Sequence, residues 1–183
     1  MVRDLSAGLT YRDYVALPDD GRRCELHDGE MFVTPAPSYD HQRVIGEVFL
    51  VLRHQAEERG QGRVVVAPVD VILSETTVVQ PDLVYLANRW PGRITGRGVE
   101  GPPTLVVEVL SPSTMRLDRG PKRDLYARHG VPYYWIVDPE ARAVEAYALG
   151  PEGYTLTLRA AGAEPVSPPP FEGLALVADA LWP

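Results

Sequence analysis

Hydrophobic and polar positions switch between a helical and a strand period, and the switches divide the chain into elements. The longest stretch with helical spacing runs from about Asp40 to Arg59, where Val44, Val48, Val51, Leu52 and Gln55 share one face. Asp40 can cap its start and Gly60 its end. Arg43, Glu47, Arg53 and Glu57 lie largely off that stripe. Upstream, Thr10 followed by Asp13 opens a short helix through Leu17. Arg22–Leu26 and Glu30–Val33 flank His27-Asp28-Gly29, and Asp-Gly between two strands predicts a hairpin. Thr34–Tyr39 is a proline-rich loop.

Strands follow the long helix. Val64–Ala67 and Val69–Leu73 are separated by Pro68, which gives either one bent strand or two short ones. Leu83–Leu86 is a strand, Trp90–Pro103 reads as a Gly/Pro/Arg-rich loop, and Leu105–Leu110 is an apolar run interrupted only by Glu108. Such a run belongs in a sheet centre covered on both faces. A second helix spans Pro121–His129, with Pro121 suited to its first turn and Gly130 to its end. Tyr133–Val137, Ala143–Ala148 and Tyr154–Leu158 are further strands, Glu164–Pro170 is a rigid connector, and Leu174–Leu181 can pack as a terminal segment. The order helix, strands, helix, strand, with hairpins attached, predicts an α/β fold: a mixed sheet flanked by helices with additional β-hairpins.

Composition narrows this picture. A chain of 183 residues without repeats suits one domain. No apolar run approaches the ~20 residues that span a bilayer, and Met1-Val2-Arg3-Asp4 has no signal-like apolar stretch, so no membrane partner and a cytoplasmic location are expected. Cys24 is the single cysteine, which excludes an intrachain disulfide and a cysteine-rich zinc site. The net charge of −7 argues against nucleic-acid binding by bulk attraction, but not against a local basic strip. Lys122 is the only lysine among 18 basic residues; it is either a leftover on the surface or a residue retained for a purpose.

Glu108 is the strongest oddity, because a carboxylate inside a buried strand is costly unless a cation or a metal satisfies it. A buried ion pair with an arginine is the bland alternative. Asp82 follows Pro81 and opens the next strand upstream; alone it is a turn residue, but two carboxylates with a backbone carbonyl and waters make a magnesium site. Lys122 sits on the helix after the Glu108 strand, with Tyr126 one turn on along the same face. From Ser111 to Gly130, Arg116, Arg119, Lys122, Arg123 and Arg128 face only Asp118 and Asp124. That excess is either a phosphate-facing strip, with Arg116, Arg119 and Arg123 touching nucleic acid, or a solvated helix face. Ser111 and Ser113 have no paired histidine to make either a nucleophile.

Pro81-Asp82, Glu108-Val109-Leu110-Ser111-Pro112-Ser113, Lys122-Arg123-Asp124-Leu125-Tyr126 and Gly130-Val131-Pro132-Tyr133-Tyr134-Trp135-Ile136-Val137-Asp138-Pro139 together resemble the Uma-type endonucleases of the PD-(D/E)xK restriction-endonuclease-like superfamily. Glu25-Leu26-His27-Asp28-Gly29-Glu30 and His41-Gln42-Arg43 match the same pattern. The resemblance covers Leu9 to Leu149, leaving 150–183 as a C-terminal extension of one domain, 1–183. It implies Asp82 and Glu108 as metal-binding carboxylates. The superfamily's usual lysine position, two residues after the glutamate, is Leu110 here, and the lysine has moved to the next helix as Lys122. The expected activity is metal-dependent hydrolysis of phosphodiester bonds in nucleic acid, DNA foremost, with Mg²⁺ or Mn²⁺ held by Asp82, Glu108 and the Val109 carbonyl, and with Lys122 positioning water or offsetting phosphate charge. His41, Glu25, Glu47 and Tyr126 are candidate supporting residues. Cutting both strands of a duplex would favour a homodimer. The competing readings are an inactive nuclease fold kept for binding or assembly, and a metal-free hydrolase using Asp82 and Glu108 as acid and base.

Overall fold

The computed structural model describes residues 8–18 and 21–182. Helix α1 (Tyr11–Tyr14) leads into a hairpin of β1 (Arg23–His27) and β2 (Glu30–Thr34). Its turn is the expected one, with Asp28 at φ 50° and Gly29 at φ 89°, the left-handed pair that a two-residue hairpin of this twist requires. Helix α2 (Tyr39–Arg53) follows and runs on through a π-helical turn, His54–Glu58. Its cap is Ser38 and not Asp40: the Ser38 hydroxyl accepts the His41 N–H at 3.2 Å. Val44, Ile45, Val48 and Leu52 are its buried face, each side chain contributing about 1.5–3 kcal/mol by leaving water.

Next come β3 (Gly62–Val66), β4 (Val71–Ser74), β5 (Thr77–Val79) and β6 (Leu83–Ala87). The two strands around Pro68 are separate and belong to different sheets. β5 was not expected, because three residues ahead of Pro81 are too few to show a period. The segment expected as loop from Trp90 to Pro103 contains a short hairpin, β7 (Arg93–Thr95) with β8 (Gly98–Glu100). Then come β9 (Leu105–Val109), helices α3 (Met115–Leu117) and α4 (Arg123–Arg128) joined by the π-helical turn Asp118–Lys122, and strands β10 (Tyr133–Asp138), β11 (Ala143–Gly150) and β12 (Gly153–Ala161). The helical stretch therefore starts before Pro121 and carries this proline inside it. The wider π turn suspends the i→i−4 ladder where the proline lacks an N–H, so the ring is accommodated. The chain ends in the pair β13 (Pro165–Val166) and β14 (Leu176–Val177) and a 3-10 turn, Ala178–Leu181.

Two six-stranded sheets result, ordered β2-β1-β5-β4-β8-β7 and β12-β11-β10-β9-β6-β3. In the second, β9 is parallel to β10 and antiparallel to β6, so it sits centrally, and all five of its residues are buried. Side-chain alternation then assigns its faces. Leu105, Val107 and Val109 pack into the cluster that includes the α2 face and Phe171, Leu174, Leu176 and Leu181. Val106 and Leu110 pack into the opposite cluster with Leu125, Tyr126 and, from the first sheet, Val71 and Val79. Glu108 alternates onto this second face, toward α4 and the first sheet. The residues after 150 are part of the main core, since β12 closes the second sheet and the terminal segment covers α2.

Candidate active site

Glu108 is 4% exposed and lies where the two sheets and the π turn meet. Its Oε1 is 2.7 Å from Lys122 Nζ and accepts the Tyr126 hydroxyl at 2.6 Å. Lys122, 5% exposed, also stands 3.4 Å from Glu25 Oε1 on β1 and 3.8 Å from Asp118 Oδ1, one turn back on its own helix. One ammonium thus serves three carboxylates. Glu25 is further held by the Gln80 N–H at 2.8 Å and by His27 Nε2 at 2.8 Å.

Asp82 immediately precedes β6, one position beyond the Leu83–Val107 pair, which puts it opposite Glu108. Its Oδ2 accepts the Val109 N–H at 2.8 Å. From α2, His41 Nε2 reaches the Val109 carbonyl at 2.8 Å and lies 3.4 Å from Asp82 Oδ2. Glu25, His41, Asp82, Glu108, Val109 and Lys122 all line one cavity of about 250 Å³, whose wall also includes Arg23, Gln80 and Asp118.

Charge in this cavity is unbalanced toward the negative. Burial pushes the Glu108 carboxyl up to about 8, with Lys122 opposing and Asp118, Asp82 and Glu25 reinforcing the rise. Glu25 moves the other way, to about 2: burial would raise it, but Lys122, His27 and the Gln80 N–H together prevail. Lys122 is driven up despite its burial, by Glu108, Glu25 and Asp118, and stays an ammonium. His41 is raised as well, because Asp82 and the Val109 carbonyl outweigh its desolvation.

The expected residues divide clearly. Glu47 is outside the cavity, half-exposed and 3.6 Å from Arg43. Tyr126 acts on the site through its hydrogen bond to Glu108. Arg116 is exposed. Arg119 is held by Glu145 at 2.7 Å and Asp138 at 2.8 Å, Arg123 lies over the Tyr147 ring at 5.3 Å, and Arg128 pairs with Asp28. Asp118, Arg23 and Gln80 escaped the sequence reading. Only Asp118 carried a signal, its i,i+4 spacing to Lys122, which in sequence resembles any solvated helix pair.

The donor set suits a hard divalent cation: the carboxylates of Asp82 and Glu108 and the Val109 carbonyl line the cavity, and in its wall Asp118 Oδ2 is buried without a hydrogen-bond partner. Among the described residues, no three His, Cys, Asp or Glu side chains converge on one point closely enough to hold a metal alone. The backbone carbonyl and waters would complete the shell, as Mg²⁺ commonly requires. No helix among the described residues is long and apolar enough to cross a membrane.

Comparison with known proteins gives two findings of likeness. The model of the Uma2 family, described as "Putative restriction endonuclease", matches residues 11–179. A crystal structure described as that of "a putative nuclease belonging to DUF820", from Anabaena variabilis ATCC 29413, superposes with a TM-score of 0.77 at 19% identity, covering 94% of this chain and 97% of that one. At that identity the likeness is one of fold. No curated protein matches the chain.

Proposed function

The chain belongs to the Uma2 family, and we propose that it is a metal-dependent endonuclease hydrolysing phosphodiester bonds of nucleic acid, DNA foremost. The observation that carries this reading is the meeting of Asp82, Glu108 and Lys122, from three separate elements, in one cavity, with Lys122 2.7 Å from Glu108. Asp82, Glu108 and the Val109 carbonyl would hold Mg²⁺ or Mn²⁺, which supplies Lewis acidity toward the phosphate and a more acidic water. The chain's own residues do the rest. Lys122, fixed as an ammonium by Glu108, Glu25 and Asp118, provides a preoriented positive charge for the charge that grows on the phosphate. Tyr126 holds one Glu108 oxygen, and His41 orients the Val109 carbonyl beside Asp82. The absence of a membrane-crossing helix among the described residues is compatible with a cytoplasmic setting.

Supercoiled plasmid, linear duplex and single strands incubated with Mg²⁺, Mn²⁺ or chelator test the reading. Cleavage is expected to need metal and to vanish in Glu108→Ala. Undiminished metal affinity in Asp82→Ala would overturn the ligand assignment. One observation favours a second reading, a catalytically silent binding module: Arg119, Arg123 and Arg128 all have partners within the chain. Metal-dependent turnover excludes it.

A further inference from the structure

Asp118 has no assigned role, yet its surroundings are unusual. It is 2% exposed, it lies in the cavity wall, and its Oδ2 has no hydrogen-bond partner. The other oxygen is 3.8 Å from Lys122 Nζ, beyond a good hydrogen bond, and Lys122 is already engaged more closely by Glu108 and Glu25. Thr114 favours the charged form of the carboxylate, but not enough to offset its burial. A carboxylate buried in this way costs stability, because it loses water without a full set of donors. Its backbone is independently anchored, since the Asp118 carbonyl accepts the Tyr134 hydroxyl at 3.0 Å. The turn therefore does not need this side chain to hold its shape.

We propose that Asp118 is a positioning residue for a hydrated divalent cation, accepting a hydrogen bond on Oδ2 from a water of the cation's shell. The assignment rests on the metal-dependent reading above. It needs no three-side-chain cluster, and none is found among the described residues, because the contact runs through water and adds no direct ligand. Mg²⁺ keeps several waters, and those that face the wall of this cavity need acceptors there. Among the described residues, Asp118 Oδ2 is the buried carboxylate oxygen that has no hydrogen-bond partner.

The test uses wild type and Asp118→Asn. Melting temperature without metal, Mn²⁺ affinity by calorimetry and the Mn²⁺ EPR spectrum are measured. If Asp118 serves the cation, the Asn variant melts higher than wild type without metal, because one of the three carboxylates that share a single ammonium has lost its charge. Its Mn²⁺ affinity falls about 10–100-fold, the usual cost of losing an outer-shell partner, and the EPR spectrum changes. If Asp118 is merely a structural partner of Lys122, the variant melts lower, and that result overturns the assignment, as does unchanged Mn²⁺ affinity at any melting temperature. Should the Asn variant not fold, Asp118→Glu is read by affinity alone: a fall supports the assignment, no change overturns it. Wild type that binds no Mn²⁺ overturns both the assignment and the metal reading, and that titration is done first.

Discussion

Burial holds the Glu108 carboxyl up to about 8, against an ordinary value of 4.5, so at pH 7 a divalent cation binding there must displace a proton. Calorimetry in buffers of different ionisation enthalpy is expected to read release of about one proton per Mn²⁺ at pH 7, declining toward none at pH 9. The sign for stability follows from the same shift. A carboxyl raised in the folded state favours folding below its ordinary value, and that contribution is lost as pH rises through about 8. Glu25 has the opposite sign: held at about 2, it favours folding above 4.5 and loses this as pH falls toward 2. Without metal, the protein is expected to be less stable at pH 9 than at pH 6, with a smaller difference in Glu108→Gln. Lys122→Met tests the same cluster. Removing the one ammonium among Glu25, Glu108 and Asp118 leaves buried charge uncompensated and should cost about 3–5 kcal/mol in urea unfolding at pH 8. The loss should shrink at pH 5, where the orphaned carboxyls take up protons.

At the scale of elements, three local devices set the site. The π-helical turn Asp118–Lys122 directs both its terminal side chains inward, and both are buried. The alternation along β9 gives Glu108 to the α4 face while Val107 and Val109 go to the α2 face. The N-terminus of α2 is the third piece, because His41 reaches the Val109 carbonyl from its first turn. Ser38→Ala removes the cap on that turn and should lower stability by about 1 kcal/mol, while Ser38→Asp retains most of it. If His41 is oriented by this cap, Mn²⁺ affinity falls with Ser38→Ala in parallel with the stability.

At the scale of the molecule, the cavity exists only because two sheets converge: Glu25 comes from the first, Glu108 from the second, and Lys122 from the helical segment between β9 and β10. The same convergence consumes the basic strip suggested by the sequence. Arg119, Arg123 and Arg128 are bound to Glu145, Asp138, Tyr147 and Asp28. Among the described residues, Arg23 and Lys122 are the arginine and lysine side chains that line the cavity, and Arg116 is exposed on α3, next in the chain to that wall. Binding to duplex DNA by Glu108→Gln should therefore weaken with salt along a log–log slope no steeper than about −3, since each neutralised phosphate contributes about −0.9. A slope near −6 would mean that the engaged arginines release their partners on binding.

The sequence by itself determined the elements whose pattern is local: the amphipathic face of α2, the Asp28-Gly29 hairpin, and the apolar run that made Glu108 conspicuous. It also determined the family, because widely spaced short motifs, each weak alone, occur together and in order. The tertiary structure decided what depends on partners far along the chain. Pro68 divides strands of two different sheets, and β5, β7 and β8 exist because neighbouring strands pair with them. Asp118 and Glu47 read alike in sequence, each an acidic helical residue with a basic one four positions away. Burial separates them, placing Asp118 in the cavity wall and leaving Glu47 half-exposed. A side chain's spacing is local, but the dielectric around it is set by everything that packs against it, and that is a property of the folded whole.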